Sequence, residues 1–305
     1  MKPYLPKKHI TVKGLLLIGF GSILFGGVVG VAAYFISNLV YLIIVFPIGI
    51  GVITVSAYKK LVLASKLYHP VLILLFSIVT GLSLALAFYA TPYAVLRRDV
   101  VRDFQETYQI DFRTASRGFD AGLFEETGSS GFIGFMKLRA REGDEFEQYV
   151  ILNSIPIELF HFRLSSIGAW MYWVLESVMF TLPFVYAGIQ LGKRAFSTGA
   201  NDWYELFENQ IGMVGLDEKD QLLLCIQAGD FNGLCQIMTL EEKLSHPAIE
   251  VYKQSAMNKK SDVLLSIKQT FRQSPTVVKR NLLGQWEVPL MEYEAFEELI
   301  SARLQ

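Results

Sequence analysis

Apolar residues fall along this chain in four long runs. Residues 14–37, 39–58 and 71–93 hold no charged side chain, and residues 167–191 hold one, Glu176. A helix rises about 1.5 Å per residue, so a run of about 20 residues crosses roughly 30 Å of hydrocarbon. A helix also satisfies its own backbone N–H and C=O groups, which lipid cannot do for it. The pattern therefore predicts four transmembrane helices. Four buried helices of a soluble core would need a polar shell that 305 residues do not supply. Ser37 and Asn38 separate the first two runs and predict a tight helical hairpin. The first run exceeds the about 7–15 apolar residues of a cleaved signal peptide and reads as a retained helix.

The stretches between and after the runs have their own periods. Residues 94–166 are too many for a bare loop. Val95, Val100, Val101, Phe104 and Tyr108 keep a helical spacing, so helix three is expected to continue past a break or bend at Pro92. Residues 119–131, rich in glycine and acids, are expected to be loop. Residues 132–141 and 145–152 flank Gly143 and Asp144 and predict a β-hairpin. Phe132, Met136, Leu138 and Ala140 would share one face of it, with Lys137, Arg139 and Arg141 on the other. After the fourth run, residues 217–229 predict a helix stopped by Gly229, and Asp230 is placed to cap a second short helix through Met238. Residues 248–252 and 261–271 predict strands around a turn at 257–260, and residues 291–304 an amphipathic helix after Pro289.

The expected fold is an α-helical integral membrane protein. Its four transmembrane helices carry a small extracytoplasmic α+β insertion and a C-terminal cytosolic α+β domain. Residues 1–13 form the cytosolic N-terminus, 14–93 the first three spans, 94–166 the outer insertion, 167–191 the fourth span and 192–305 the cytosolic domain.

Composition agrees. The chain is 52% hydrophobic and 19% charged, with a mean hydropathy of +0.35, against about 25% charged residues in soluble domains. Charge also orients it. Lys2, Lys7, Lys8 and Lys13 precede the first run, Lys59, Lys60 and Lys66 lie between the second and third, and Lys193 and Arg194 follow the fourth. Basic residues beside spans favour the cytoplasm, so the chain is expected in the cell membrane as a multi-pass protein with both termini cytoplasmic. Arg97, Arg98 and Arg102 on the proposed outer side run against this bias but are interleaved with Asp99 and Asp103. A net charge of −1 and the lack of a basic block exclude nucleic acid as the main partner.

Motifs for chemistry are missing. Cys225 and Cys235 form no Cys-x-x-Cys pair, and His9, His69, His161 and His246 are scattered, so no metal and no cofactor are expected. Phe196-x6-Trp203-Tyr204 resembles the zinc-knuckle tails of some membrane proteins, in which cysteines would stand near Ser197 and Ala200. Those thiols are absent, no zinc is expected, and no family is recognised from so few residues. There is no Walker loop, no G-x-G-x-x-G between a strand and a helix, and no G-x-S-x-G. No catalytic residue is assigned. The spans instead carry rows of small residues four apart: Ser22, Gly26 and Gly30 in the first, and Ser77, Gly81 and Ala85 in the third. Gly188 and Gly192 close the fourth. Such rows let helices approach closely. Packing within the bundle is the leading reading and homo-oligomerisation the second. Gly49 and Gly51 after Pro47 point to a bend in helix two.

Glu176 is the candidate polar site. An acid inside a span marks a functional position by default. With no Lys or Arg in the spans, its expected partners are hydroxyls on helix three, Ser83 or Tyr89, and the hydrocarbon favours its neutral form. Trp170, Tyr172 and Trp173 mark an interfacial belt, which puts Glu176 about 4–9 Å deeper at 1.5 Å per residue. By elimination, the expected function is a non-enzymatic scaffold or signalling component that links partners on the two sides of the membrane. The alternative is a small transporter or channel subunit using Glu176, and the third reading is a lipid-active membrane enzyme. Expected partners are membrane lipids and a protein bound by the cytosolic tail.

Overall fold

The computed structural model describes residues 2–4, 9–39, 44–142, 145–152, 155–197, 202–205, 208–239, 248–255, 263–274 and 277–304. In chain order the elements are β1 (Lys2–Pro3), α1 (Val12–Ser37), α2 (Val45–Ser65), α3 (Pro70–Tyr108), α4 (Phe112–Thr127), α5 (Gly131–Glu142), β2 (Glu145–Leu152), β3 (Ile155–Arg163) and α6 (Ser166–Gly192). Next come β4 (Phe196–Ser197), β5 (Asp202–Trp203), β6 (Asn209–Gly215), α7 (Lys219–Ala228), α8 (Phe231–Ile237), β7 (Ala248–Ser255), β8 (Val263–Ser274), β9 (Val277–Val288) and α9 (Leu290–Leu304). They form two compact units. One is Thr11–Gly192; the other joins Met1–Ile10 to Lys193–Gln305.

In the first unit, α1, α2, α3 and α6 are long and apolar enough to cross a membrane, at 26, 21, 39 and 27 residues. Phe20, Leu24, Ile53, Leu86, Leu175 and Val178 are exposed on them, as suits helices whose solvent is hydrocarbon. Local signals set their ends. Thr11 Oγ1 accepts the Gly14 N–H at 3.0 Å to cap α1, and His69 Nδ1 accepts the Leu72 N–H at 3.3 Å ahead of Pro70 in the first turn of α3. Lys66 and Gln109, left-handed at φ 51° and 53°, close α2 and α3.

Several elements differ from the expectation. Helix α2 starts at Val45 and runs through Lys59 and Lys60 to Ser65. Lysines are good helix formers, and these two are exposed. Residues 40–43, inside the expected second span, lie outside the described residues. Helix α3 passes Pro92 without a break, and beside it the Thr91 hydroxyl donates to the Ala87 carbonyl at 2.7 Å.

The expected loop at 119–131 is mostly helix α4. Asp111 caps it by accepting the Arg113 and Thr114 N–H groups at 2.8 and 3.2 Å, and Gly128 ends it at φ 68°. Ala115, Phe119 and Leu123 bury one side of it at a spacing of four.

The expected hairpin strand 132–141 is helix α5, with Phe135, Met136 and Ala140 buried. The hairpin lies further on. β2 pairs antiparallel with β3, Leu152 opposite Ile155. Gly143 and Asp144 lie outside the described residues. Tyr93 gathers α3, α4 and α5, its ring 6.2 Å from Phe119, 6.0 Å from Phe132 and 5.7 Å from Phe135.

The second unit contains a five-stranded antiparallel sheet of order β1-β9-β8-β7-β6. One face buries Val214, Ile249, Val251, Leu265, Ile267 and Val288 under Leu222 and Ile226 of α7, Leu234 of α8 and Phe296 of α9. Strand β8 is buried on both faces, since Leu264 packs with Tyr204 on the other side. Helices α7, α8 and α9 lie where the sequence put them, and Asp230 Oδ1 accepts the Gly233 N–H at 2.9 Å. The turn at 257–260 lies outside the described residues. Strand β1 was not anticipated: Lys2 pairs with Glu287 and Pro3 with Trp286.

On the polar part of that sheet, Arg280 Nε donates to Glu250 Oε2 at 2.8 Å, and the Tyr252 hydroxyl donates to the same oxygen. Burial, then the bond to Glu250, pushes the Tyr252 phenol up to about 12. An unfolded tyrosine releases its proton near 10. The folded state therefore holds more protons between these values, and stability falls as pH rises through that window. The expected result is a urea midpoint that declines from pH 10 towards 12 in the wild type and declines less in Tyr252→Phe. Equal slopes in the two proteins would contradict it.

Candidate functional site

Small residues bring α3 and α6 together. A Cβ on Gly81 would stand 2.6 Å from the Thr181 Cα, and one on Gly188 would stand 3.0 Å from the Ser77 Cβ. The helices therefore run antiparallel with backbones close, the approach that small residues permit. Tyr58 of α2 joins at the same level, its hydroxyl 3.0 Å from Ser77 Oγ and its ring 5.5 Å from Phe184. Two turns beyond Gly81, this register sets Tyr89 beside Glu176.

Glu176 is 1% exposed. The Tyr89 hydroxyl donates to its Oε2 and lies 3.4 Å from the Trp173 carbonyl oxygen. Aromatic rings surround the pair. Phe88 is 5.3 Å from both Tyr89 and Phe180, and Tyr89 is 6.3 Å from Trp173. The Arg139 guanidinium of α5 sits 5.6 Å from the Trp173 ring and 6.0 Å from Phe135, within cation–π range. Of the two hydroxyls expected near Glu176, Tyr89 is bonded to it. Ser83 instead faces α1, since a Cβ on Gly26 would come 2.8 Å from the Ser83 Cβ. Arg139 was read onto the basic face of a hairpin strand; the helical turn of α5 carries it over Trp173.

The other small residues also sit between helices. Gly26 abuts the Thr80 carbonyl and Gly30 the Leu84 carbonyl, which join α1 to α3. Ser22 is fully buried, and its Oγ has no hydrogen-bond partner among the described residues. Ala85 is 3% exposed. Gly51, read as part of a bend, receives the Pro183 ring, whose Cγ would be 2.7 Å from an added Cβ. The aromatic belt is divided: Trp170 is 41% exposed, whereas Trp173 is 4% exposed and packed.

A groove of about 750 Å³ runs along α3 and α6 beneath α5. Tyr89, Trp173 and Ser177 help to wall it, and Glu176 does not line it. Chemically, Glu176 and Tyr89 form a buried hydrogen-bonded clamp between two helices.

In the second unit, β4 and β5 pair Phe196 with Trp203 and Ser197 with Asp202. This is the frame that resembles a zinc knuckle. Ser197 is buried, Ala200 lies outside the described residues, and the hairpin is packed by rings. Phe196 lies 5.3 Å from both Trp203 and His9, and the Tyr4 hydroxyl accepts the Phe196 N–H at 3.0 Å. Cys225 and Cys235 are not joined in a disulfide, and among the described residues no three His, Cys, Asp or Glu side chains gather where they could hold a metal ion. Comparison with protein-family models, with curated proteins and with solved structures finds no match for this chain.

Proposed function

We propose that the protein is a non-enzymatic scaffold or signalling component of the cell membrane, with both termini in the cytoplasm. The observation that carries the reading is the division into two units. Each buries its own apolar core, one among helices long enough to span a bilayer and one around a five-stranded sheet. Such a chain offers a folded surface beside the membrane as well as the insertion of α4, α5, β2 and β3. The pairing of Lys2 and Pro3 with β9 supports a common side for the two termini, because the first and last segments share one sheet. Assignment of that side to the cytoplasm rests on the lysines next to the spans. The burial of Glu176 against Tyr89, outside the groove lining, weighs against transport through this acid.

Two measurements on the full chain test the proposal. Proximity labelling from the C-terminus and from the insertion is expected to enrich reproducible and different protein sets over an unrelated four-span control. Proteoliposomes holding the protein are expected to show no proton or cation flux above protein-free vesicles. Labelling indistinguishable from the control, or a flux that Glu176→Gln abolishes, would overturn it.

A further inference from the structure

The groove beneath α5 has a shape and a chemistry that favour one kind of occupant. Its walls are two membrane-spanning helices, with Leu82 and Leu86 of α3 facing Val178 and Leu182 of α6, and Phe132 and Met136 of α5 close one end. Its hydroxyl groups are already committed. Ser177 Oγ donates to the Trp173 carbonyl at 2.7 Å, Thr181 Oγ1 donates to the Ser177 carbonyl at 2.8 Å, and the Tyr89 hydroxyl donates to Glu176. An occupant that needed hydrogen bonds from these groups would have to break bonds internal to the bundle. A hydrocarbon needs none.

Size separates a lipid chain from a partner helix. Spread over the about 22 Å of α6 that its lining covers, the 750 Å³ of the groove has a mean cross-section of roughly 34 Å², against roughly 80 Å² for a helix about 10 Å across, so an extended chain lies inside the groove where a helix could rest only one side on it. Along α6 the lining extends from Trp170 to Val185, a rise of about 22 Å at 1.5 Å per residue. That exceeds the roughly 15 Å depth of one hydrocarbon leaflet, so a chain entering at the tryptophan level has room to lie extended. Trp170, exposed where Trp173 is packed, stands at the α5 end, where amphipathic rings meet the headgroup region. Met136 adds an adaptable side chain to the closed end.

We propose that this groove seats one acyl chain of a membrane phospholipid, lying between α3 and α6 with its glycerol end beside α5. The site is separate from the Glu176–Tyr89 clamp, although Tyr89 belongs to the wall of one and the bond of the other.

Photo-crosslinking of the full-length protein tests it. The protein is reconstituted in vesicles of phosphatidylethanolamine and phosphatidylglycerol with a trace of phosphatidylcholine bearing a diazirine on its acyl chain. After irradiation, adducts are mapped by mass spectrometry. The expected result is several-fold more adduct on the groove segments of α5 and α6 than on the exposed face of α1 around Phe20 and Leu24. Val178→Trp, which fills the groove from an exposed position, is expected to remove most groove adducts and leave those on α1. Leu182→Trp supplies the same test from one turn further along, should the first variant fail to fold. Adducts spread evenly over α1 and α6, or unchanged by a folded filling variant, would overturn the proposal. So would an absence of groove adducts in the wild type, the result expected if a second copy of the chain covers the groove in place of lipid.

Discussion

Gly26→Ala and Gly30→Ala are expected to destabilise the helix bundle, while Gly27→Ala, inside the same turn as Gly26, is expected to be harmless. A methyl on Gly26 would meet the Thr80 carbonyl oxygen and come 2.8 Å from the Ser83 Cβ; one on Gly30 would meet the Leu84 carbonyl oxygen and come 2.8 Å from the Ala87 Cβ. The obstructing atoms include main chain, which cannot rotate away. Nothing lies within 4 Å of the corresponding position on Gly27. Overpacking costs about 1–3 kcal/mol and sometimes more, and contact with backbone belongs at the upper end. Against that, alanine in a helix is favoured over glycine by about 1 kcal/mol. The signs should therefore divide, with Gly27→Ala neutral or slightly stabilising. Thermal midpoints and the monodisperse yield in a mild detergent measure this. Homo-oligomerisation through the same row predicts another outcome, in which Gly26→Ala shifts the oligomeric state and leaves the fold of each chain intact. Equal stability of Gly26→Ala and Gly27→Ala would refute the packing described for α1 and α3.

The parts of the fold that could be read from sequence are those in which one physical requirement dominates. Crossing lipid demands length and apolarity, so α1, α3 and α6 lie close to their runs. At α2 the run misled, because the chain stays helical across Lys59 and Lys60 and on through the apolar residues 61–64 to Ser65. In the insertion, glycine and acid content suggested a loop at 119–131. Gly122 is in fact a helical residue of α4, with open space around it. The usable signal was the cap at Asp111, the stop at Gly128 and the spacing of Ala115, Phe119 and Leu123. In residues 132–141, alternation of basic and apolar side chains imitated a strand. Burial of Phe135, Met136 and Ala140 follows the helical period instead. Strand β1 carries no local signal at all: two residues join β9 from the far end of the chain, a pairing that only the tertiary fold specifies.

The candidate site was half legible. A lone acid in an apolar run is visible at once, and Tyr89 followed from the search for a hydroxyl on helix three. The aromatic shell was not, because Phe88 and Phe180 are ordinary apolar residues until the register of α3 and α6 is known. Gly81 against Thr181 and Gly188 against Ser77 set that register. The same small residues that read as packing motifs thus determine which polar groups meet several turns away. Arg139 was misplaced for a related reason, since its position over Trp173 depends on α5 being a helix.

Substitutions at Glu176 and Tyr89 separate a clamp from a transport or proton site. Glu176→Gln keeps an oxygen that can accept the Tyr89 hydroxyl, so its expected cost is under about 1 kcal/mol, the scale of one ordinary net hydrogen bond. Tyr89→Phe removes the donor from a carboxyl that is 1% exposed, at an expected cost of about 1–3 kcal/mol. Glu176→Ala also leaves a cavity among Phe88, Trp173 and Phe180, and core truncations of that size cost about 2–5 kcal/mol. If the two side chains act on each other, the double variant Tyr89→Phe with Glu176→Ala will fall short of the sum of the single losses by about 0.5–3 kcal/mol. Thermal unfolding of the four proteins in one detergent measures the cycle. Additive losses would remove the clamp. The functional arm uses the same variants. A clamp that works through packing keeps full labelling of partners in Glu176→Gln, whose stability is near wild type. A proton or cation site loses its activity in Glu176→Gln with folding unchanged, because an amide cannot exchange a proton or hold a negative charge. That combination, normal stability with lost activity, would replace the structural role of Glu176 with a chemical one.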